Sequence, residues 1–248
     1  MSIEYAIETQ GLTRRFGDFV AVDDVSLQIP KGHLFGFLGL NGAGKTTTIR
    51  MLTTLLPPSG GTAKLWGHDV VREPLAVRAL VGLVSDETSE SQSTWTAREY
   101  LSYFARIRHM RDADDRVEHI LEQVGLDSRF RGKLIGTYST GMKRRVEIAR
   151  ALMGNPKVLF LDEPTRGLDL PAKRDMWNLL RRLAANENVT TFLSSHDAQE
   201  IRSLCTEISV IANGRLVYTG LTGELGPDLD TFEERLIELL TQQSHVAR

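Results

Sequence analysis

Apolar residues fall into short runs broken by glycine, proline and acids, and the spacing inside each run predicts its element. Ala6–Leu12, Val25–Ile29 and His33–Leu38 read as strands. Gly39–Lys45 is a glycine-rich loop, and Thr46–Leu56 reads as a helix stopped at Pro57-Pro58-Ser59-Gly60-Gly61. Val81–Ser85 is an apolar, β-branched run expected of a buried strand. The period then changes. Thr96-Ala97-Arg98-Glu99 has capping-box spacing and predicts a helix through Arg108. Within Asp115–Val124, Val117, Ile120, Leu121 and Val124 share one helical face, and Gly125 is placed to end that helix.

Beyond Gly136 the strand–helix alternation returns. Val158–Leu161 and Thr190–Ser194 are expected strands; Val146–Leu152, Pro171–Ala185 and Asp197–Leu204 are expected helices. Ile208–Ala212 and Arg215–Tyr218 flank Asn213-Gly214, the signal of a type I′ hairpin. Thr231-Phe232-Glu233-Glu234 predicts the cap of a last amphipathic helix reaching about Leu240. Strands alternating with helices imply an α/β fold with a mostly parallel sheet. The expected division is a core of residues 1–85 and 137–220, a helical insert at 86–136, and a short tail at 221–248.

Composition narrows the function. Of 248 residues, 41% are hydrophobic and 25% charged, ordinary globular proportions that exclude collagen-like and wholly disordered readings. Thirty basic against 32 acidic residues give a net charge of -2, which argues against a generally basic nucleic-acid binder. The single cysteine, Cys205, forms no intrachain disulfide and fits a reducing compartment. No run of about 18 apolar residues is present, and the first ten residues have no secretory pattern. A cytoplasmic protein is expected.

Two segments carry chemistry. Gly39-Leu40-Asn41-Gly42-Ala43-Gly44-Lys45-Thr46 matches G-x-x-x-x-G-K-[ST] between an expected strand and helix. Glycines let successive backbone N–H groups turn toward one anion, and the helix N-terminus adds its positive dipole end. Lys45 reaches β and γ phosphates, and the Thr46 hydroxyl is a ligand for Mg²⁺. In Val158-Leu159-Phe160-Leu161-Asp162-Glu163, an apolar strand ends in acid. Asp162 is the candidate Mg²⁺ partner and Glu163 the candidate general base.

With Tyr138-Ser139-Thr140-Gly141-Met142 upstream of that strand, the chain resembles the ATP-binding cassette (ABC) ATPases, the nucleotide-binding subunits of transporters, from about Ile7 to Val217. The resemblance implies a P-loop core with an N-terminal antiparallel β portion and an inserted helical subdomain. It also implies that Phe16 stacks adenine, that Gly39 through Thr47 cradle the nucleotide, and that His196, in Ser194-Ser195-His196-Asp197, senses the γ-phosphate. Gly167-Leu168-Asp169 resembles the segment by which Asp169 communicates between subunits. Two such subunits would stack head to tail, with Ser139 and Gly141 completing the partner's site. ATP, Mg²⁺, an integral-membrane permease and a second ATP-binding subunit are the implied partners; nucleic acid is not.

Three positions depart from the family pattern. Thr140 stands in place of the first signature glycine, and Leu40 where proline is common. Asp86, with Glu87 as a one-residue shift, stands where a glutamine near Mg²⁺ is usual. The form Glu163-Pro164-Thr165-Arg166-Gly167-Leu168-Asp169 looks most like drug, antibiotic and polysaccharide exporters, with an importer subunit as the nearest alternative. Members acting on DNA or ribosomes are also alternatives; they need a long coiled coil or two cassettes, and this chain has one phosphate loop and no sustained heptads.

Overall fold

The computed structural model describes residues 5–85, 92–185 and 189–242. In chain order the elements are β1 (Tyr5–Phe16), β2 (Phe19–Pro30), β3 (Leu34–Leu38), α1 (Lys45–Leu52), β4 (Gly60–Leu65), β5 (His68–Asp69), α2 (Pro74–Leu80) and β6 (Val81–Val84). There follow α3 (Ala97–Ile107), α4 (Ala113–Gln123), α5 (Ser128–Arg131), α6 (Thr140–Leu152), β7 (Val158–Asp162), α7 (Leu170–Ala184) and β8 (Thr190–Ser195). The chain closes with α8 (Ala198–Leu204), β9 (Glu207–Ala212), β10 (Arg215–Leu221) and α9 (Leu229–Gln242).

The strands form two sheets. An antiparallel sheet runs β2-β1-β4-β5, and a six-stranded sheet runs β10-β9-β3-β8-β7-β6. In the larger sheet only β10 is antiparallel to its neighbour. The α/β expectation and the antiparallel N-terminal portion are both met. The period-two alternation of the buried strands explains how the sheet is held. Phe35, Phe37, Phe160 and Phe192 face the antiparallel sheet and α1, while Leu38, Leu159, Leu161 and Leu193 face the helices of the other side. Phe192 is the hub of the aromatic layer, with ring centroids 5.8 Å from Phe35, 5.2 Å from Phe37 and 5.4 Å from Phe160. Phe192→Ala is expected to cost about 3–5 kcal/mol, read as a shift in denaturation midpoint, because three rings would border the void. On the opposite face of β3, a Cβ on Gly36 would sit 2.9 Å from Ile208 Cγ2 and 3.1 Å from Ile201 Cδ1. That close approach seats α8 directly on β3.

Several boundaries differ from the sequence pattern, each for a local reason. β1 and β2 are one long hairpin closed by Phe16↔Phe19, because Gly17 at φ 57° supplies the tight turn. The first helix ends at Leu52 rather than Leu56; Thr54 adopts φ 63° and cannot continue it. α6 opens at Thr140, six residues before the expected Val146, since the Ser139 hydroxyl caps it by accepting Met142 N–H. The last helix begins at Leu229, and the Asp228 carboxylate accepts Thr231 N–H at 2.9 Å, so the acid fills the role expected of Thr231. Thr96 forms both halves of its capping box, and Asn213 and Gly214 have the positive φ values of a type I′ turn.

Candidate functional site

Three adjacent parallel strands converge on one edge of the large sheet. β8 lies between β3 and β7, with Leu38 opposite Ser195 and Asp162 opposite Ser194. The phosphate loop, the acidic pair and the histidine segment therefore emerge side by side at the carboxyl ends, where α/β sheets bind ligands.

The loop is built for close backbone approach. Gly39 donates its N–H to Ser195 O, and a Cβ there would come within 2.5 Å of Ile211 O. Gly44 lies at φ 110°, and a Cβ on it would meet Ala21 O at 2.6 Å. Only glycine fits either place. Gly42, at φ 81°, has nothing within 4 Å of where a Cβ would lie. α1 starts at Lys45, so its first N–H groups point at the loop's concavity.

Lys45 is buried; its Nζ donates to Gly39 O at 2.7 Å and Leu40 O at 3.2 Å. Glu163 Oε1 lies 3.1 Å from the same Nζ, at ion-pair distance but outside hydrogen-bond alignment. This oxygen is buried without a hydrogen-bond donor, while the other, Oε2, lies 2.7 Å from His196 Nδ1. One carboxylate oxygen is thus held by the imidazole, and the other faces the Lys45 ammonium without a hydrogen-bond donor of its own. Glu163 itself sits at φ 52°, a costly conformation held by its N–H, which donates to Ser194 O at 3.1 Å.

Thr46 Oγ1 donates to Asp162 Oδ2 at 2.8 Å, and Ser194 Oγ donates to Oδ1 at 2.5 Å. A hydroxyl and a carboxylate oxygen are the hard donors Mg²⁺ takes. Among the described residues no group of three or more His, Cys, Asp or Glu could hold a metal.

A cleft of about 530 Å³ joins these groups to the tip of the β1–β2 hairpin. Phe16, Leu40, Asn41, Gly42, Gly44, Lys45, Thr46, Thr47, Asp162 and Glu163 all line it. Phe16 is half exposed, with the Arg14 guanidinium 4.6 Å from its ring centroid. Phe19 and Arg166 line the cleft too, and neither was expected. The pairing Phe16↔Phe19 is the missed signal, since an aromatic on each side of Gly17-Asp18 puts two rings at one hairpin tip.

Other expected residues lie elsewhere. Ser139, Gly141 and Asp169 are not among those lining this cleft; Ser139 caps α6 and Asp169 caps α7, where Oδ1 accepts Ala172 N–H at 2.9 Å. A Cβ on Gly141 would lie 3.6 Å from Ala172, so the signature and the Gly167–Asp169 segment border each other on the surface. Thr140 is the first residue of α6, directly after the capping Ser139. Asp86 and Glu87 lie outside the described residues.

The chain's residues 22–166 match the ABC transporter family model, and the chain belongs to that family. It is 40% identical to the daunorubicin/doxorubicin resistance ATP-binding protein DrrA of Streptomyces peucetius, over 93% of this chain and 70% of that protein. It is 39% identical to the bacitracin transport ATP-binding protein BcrA of Bacillus licheniformis, over 85% of this chain and 68% of that protein. Among solved structures, an ATP-binding cassette of an ABC transporter in its ADP conformation superposes with a TM-score of 0.80 at 26% identity, covering 95% of this chain and 98% of that one. This protein is an ATP-binding, ATP-hydrolysing ABC transporter component, and no helix among its described residues is long and apolar enough to cross a membrane.

Proposed function

We propose that this chain powers an exporter, working on the cytoplasmic face of the membrane beside a separate permease that carries the transport path. The observation that carries the catalytic part is the convergence of Lys45, Thr46, Asp162, Glu163 and His196 on one sheet edge. Lys45 and the loop amides hold the phosphates, and Thr46 and Asp162 hold Mg²⁺, which when bound neutralises charge on the transferring phosphoryl group. Glu163 accepts the proton of the attacking water, and His196 holds the carboxylate in place through Oε2. Phe16 stacks the adenine.

The signature's position away from the cleft supports a two-chain site. Ser139, Gly141 and Asp169 would face the nucleotide held by a second copy, so the γ-phosphate bridges two surfaces and its loss releases them. The 86–136 segment is the part we assign to contact with the permease. The export direction is supported by the two relatives whose names record daunorubicin/doxorubicin resistance and bacitracin transport.

The test is reconstitution of the chain with its co-purifying integral protein in lipid vesicles, with ATP added outside, where the ATPase sits. Uptake of an amphipathic antibiotic into the lumen, dependent on ATP and lost in Lys45→Ala, is the expected result. ATP-driven loss of preloaded compound from the lumen, or recovery of the chain with ribosomes rather than membranes, would overturn the export reading.

A further inference from the structure

Glu200 is a carboxyl that the proposed chemistry does not use, yet it is only 1% exposed, and burying a charge needs a reason. It stands in the first turn of α8, four residues beyond His196, and receives three side-chain donors from three different segments. Ser195 Oγ donates to Oε2 at 2.6 Å, Trp177 Nε1 of α7 donates to Oε1 at 3.1 Å, and the Thr165 hydroxyl also bonds to it. Burial pushes this carboxyl up, and the three donors pull against that.

These partners lie on both sides of the reacting pair. Thr165 is two residues beyond Glu163, and Ser195 directly precedes His196. Ser195 Oγ also accepts Asp197 N–H at 3.0 Å, so the backbone on either side of His196 is fastened to one hydroxyl. Asp197 is fixed in turn: its Oδ1 accepts Glu200 N–H at 3.1 Å, and its Oδ2 accepts Lys173 Nζ of α7 at 2.6 Å. The loop bearing Glu163 and the loop bearing His196 therefore share a single buried anchor.

We propose that Glu200 is a positioning residue for ATP hydrolysis, locking the Thr165 and Ser195 segments so that His196 Nδ1 meets the Glu163 carboxylate. The inference rests on the roles given to Glu163 and His196 above. A misplaced imidazole would let the Glu163 carboxylate leave the place it holds between His196 and Lys45, lowering turnover.

The test compares Glu200→Gln, Ser195→Ala and His196→Ala, singly and combined, by ATPase kinetics, ATP binding and thermal melting. Glu200→Gln keeps the shape but only one acceptor oxygen; it should lower kcat roughly ten- to a hundredfold with ATP affinity unchanged. Ser195→Ala should behave alike. In the His196→Ala background, Glu200→Gln should add little further loss, because the two act in one chain of contacts. Independent, multiplying losses would overturn action through His196, and wild-type kcat with a lowered melting temperature would make Glu200 merely structural. Glu163→Gln run alongside separates the two failures: if it retains turnover, the general-base reading falls, whereas if it alone abolishes turnover, only the anchor falls.

Discussion

Glu163→Gln is expected to leave ATP binding intact and to cut steady-state hydrolysis by about 10²–10⁴-fold, the range for loss of a positioned general base. The substitution is nearly isosteric, and an amide still partners His196 across 2.7 Å. What it removes is the second oxygen, the buried acceptor that has no hydrogen-bond donor of its own. An amide nitrogen there cannot take a proton from water. Because binding persists while hydrolysis stops, the same variant with ATP and Mg²⁺ should accumulate a two-chain species visible by sedimentation. Wild-type turnover in Glu163→Gln would remove the base assignment, and a monomer under those conditions would remove the shared site.

Lys45→Ala should weaken ATP binding roughly ten- to a hundredfold, as expected for about 1.5–3 kcal/mol carried by a hydrogen bond to a charged group. Lys45 is buried with its ammonium committed to two loop carbonyls and facing Glu163. It is therefore held where a phosphate would meet it, with little side-chain freedom left to lose on binding. Titration calorimetry with a non-hydrolysed ATP analogue measures the effect apart from turnover. Removing the cation also leaves the Glu163 carboxylate buried with one positive neighbour fewer, so melting temperature should be followed in parallel. An unchanged isotherm in a folded variant would overturn the phosphate role of Lys45.

The amino-acid sequence determined what local chemistry can determine. Glycines at 39, 42 and 44, followed by Lys45 and Thr46, specify a phosphate-cradling turn whatever surrounds them, because backbone freedom and helix start are short-range properties. Thr96 and Glu99 specified their capping box, and Asn213-Gly214 its hairpin, for the same reason. Acids ending an apolar strand were legible at Asp162 and Glu163. The long β1–β2 hairpin was only half legible, since polar Thr13, Arg14 and Arg15 sit on a strand whose pairing, not its pattern, extends it. Only the tertiary structure decided which of these groups meet. Thr46 reaches Asp162 across 116 residues and His196 reaches Glu163 across 33, because β8 inserts between β3 and β7 in the sheet. Strand order is a non-local choice, made by burying phenylalanines on one face and leucines on the other over the whole sheet, and no short window of sequence contains it. Phe19 came from the local β1–β2 hairpin, whereas Glu200 met Trp177 only by such a non-local choice.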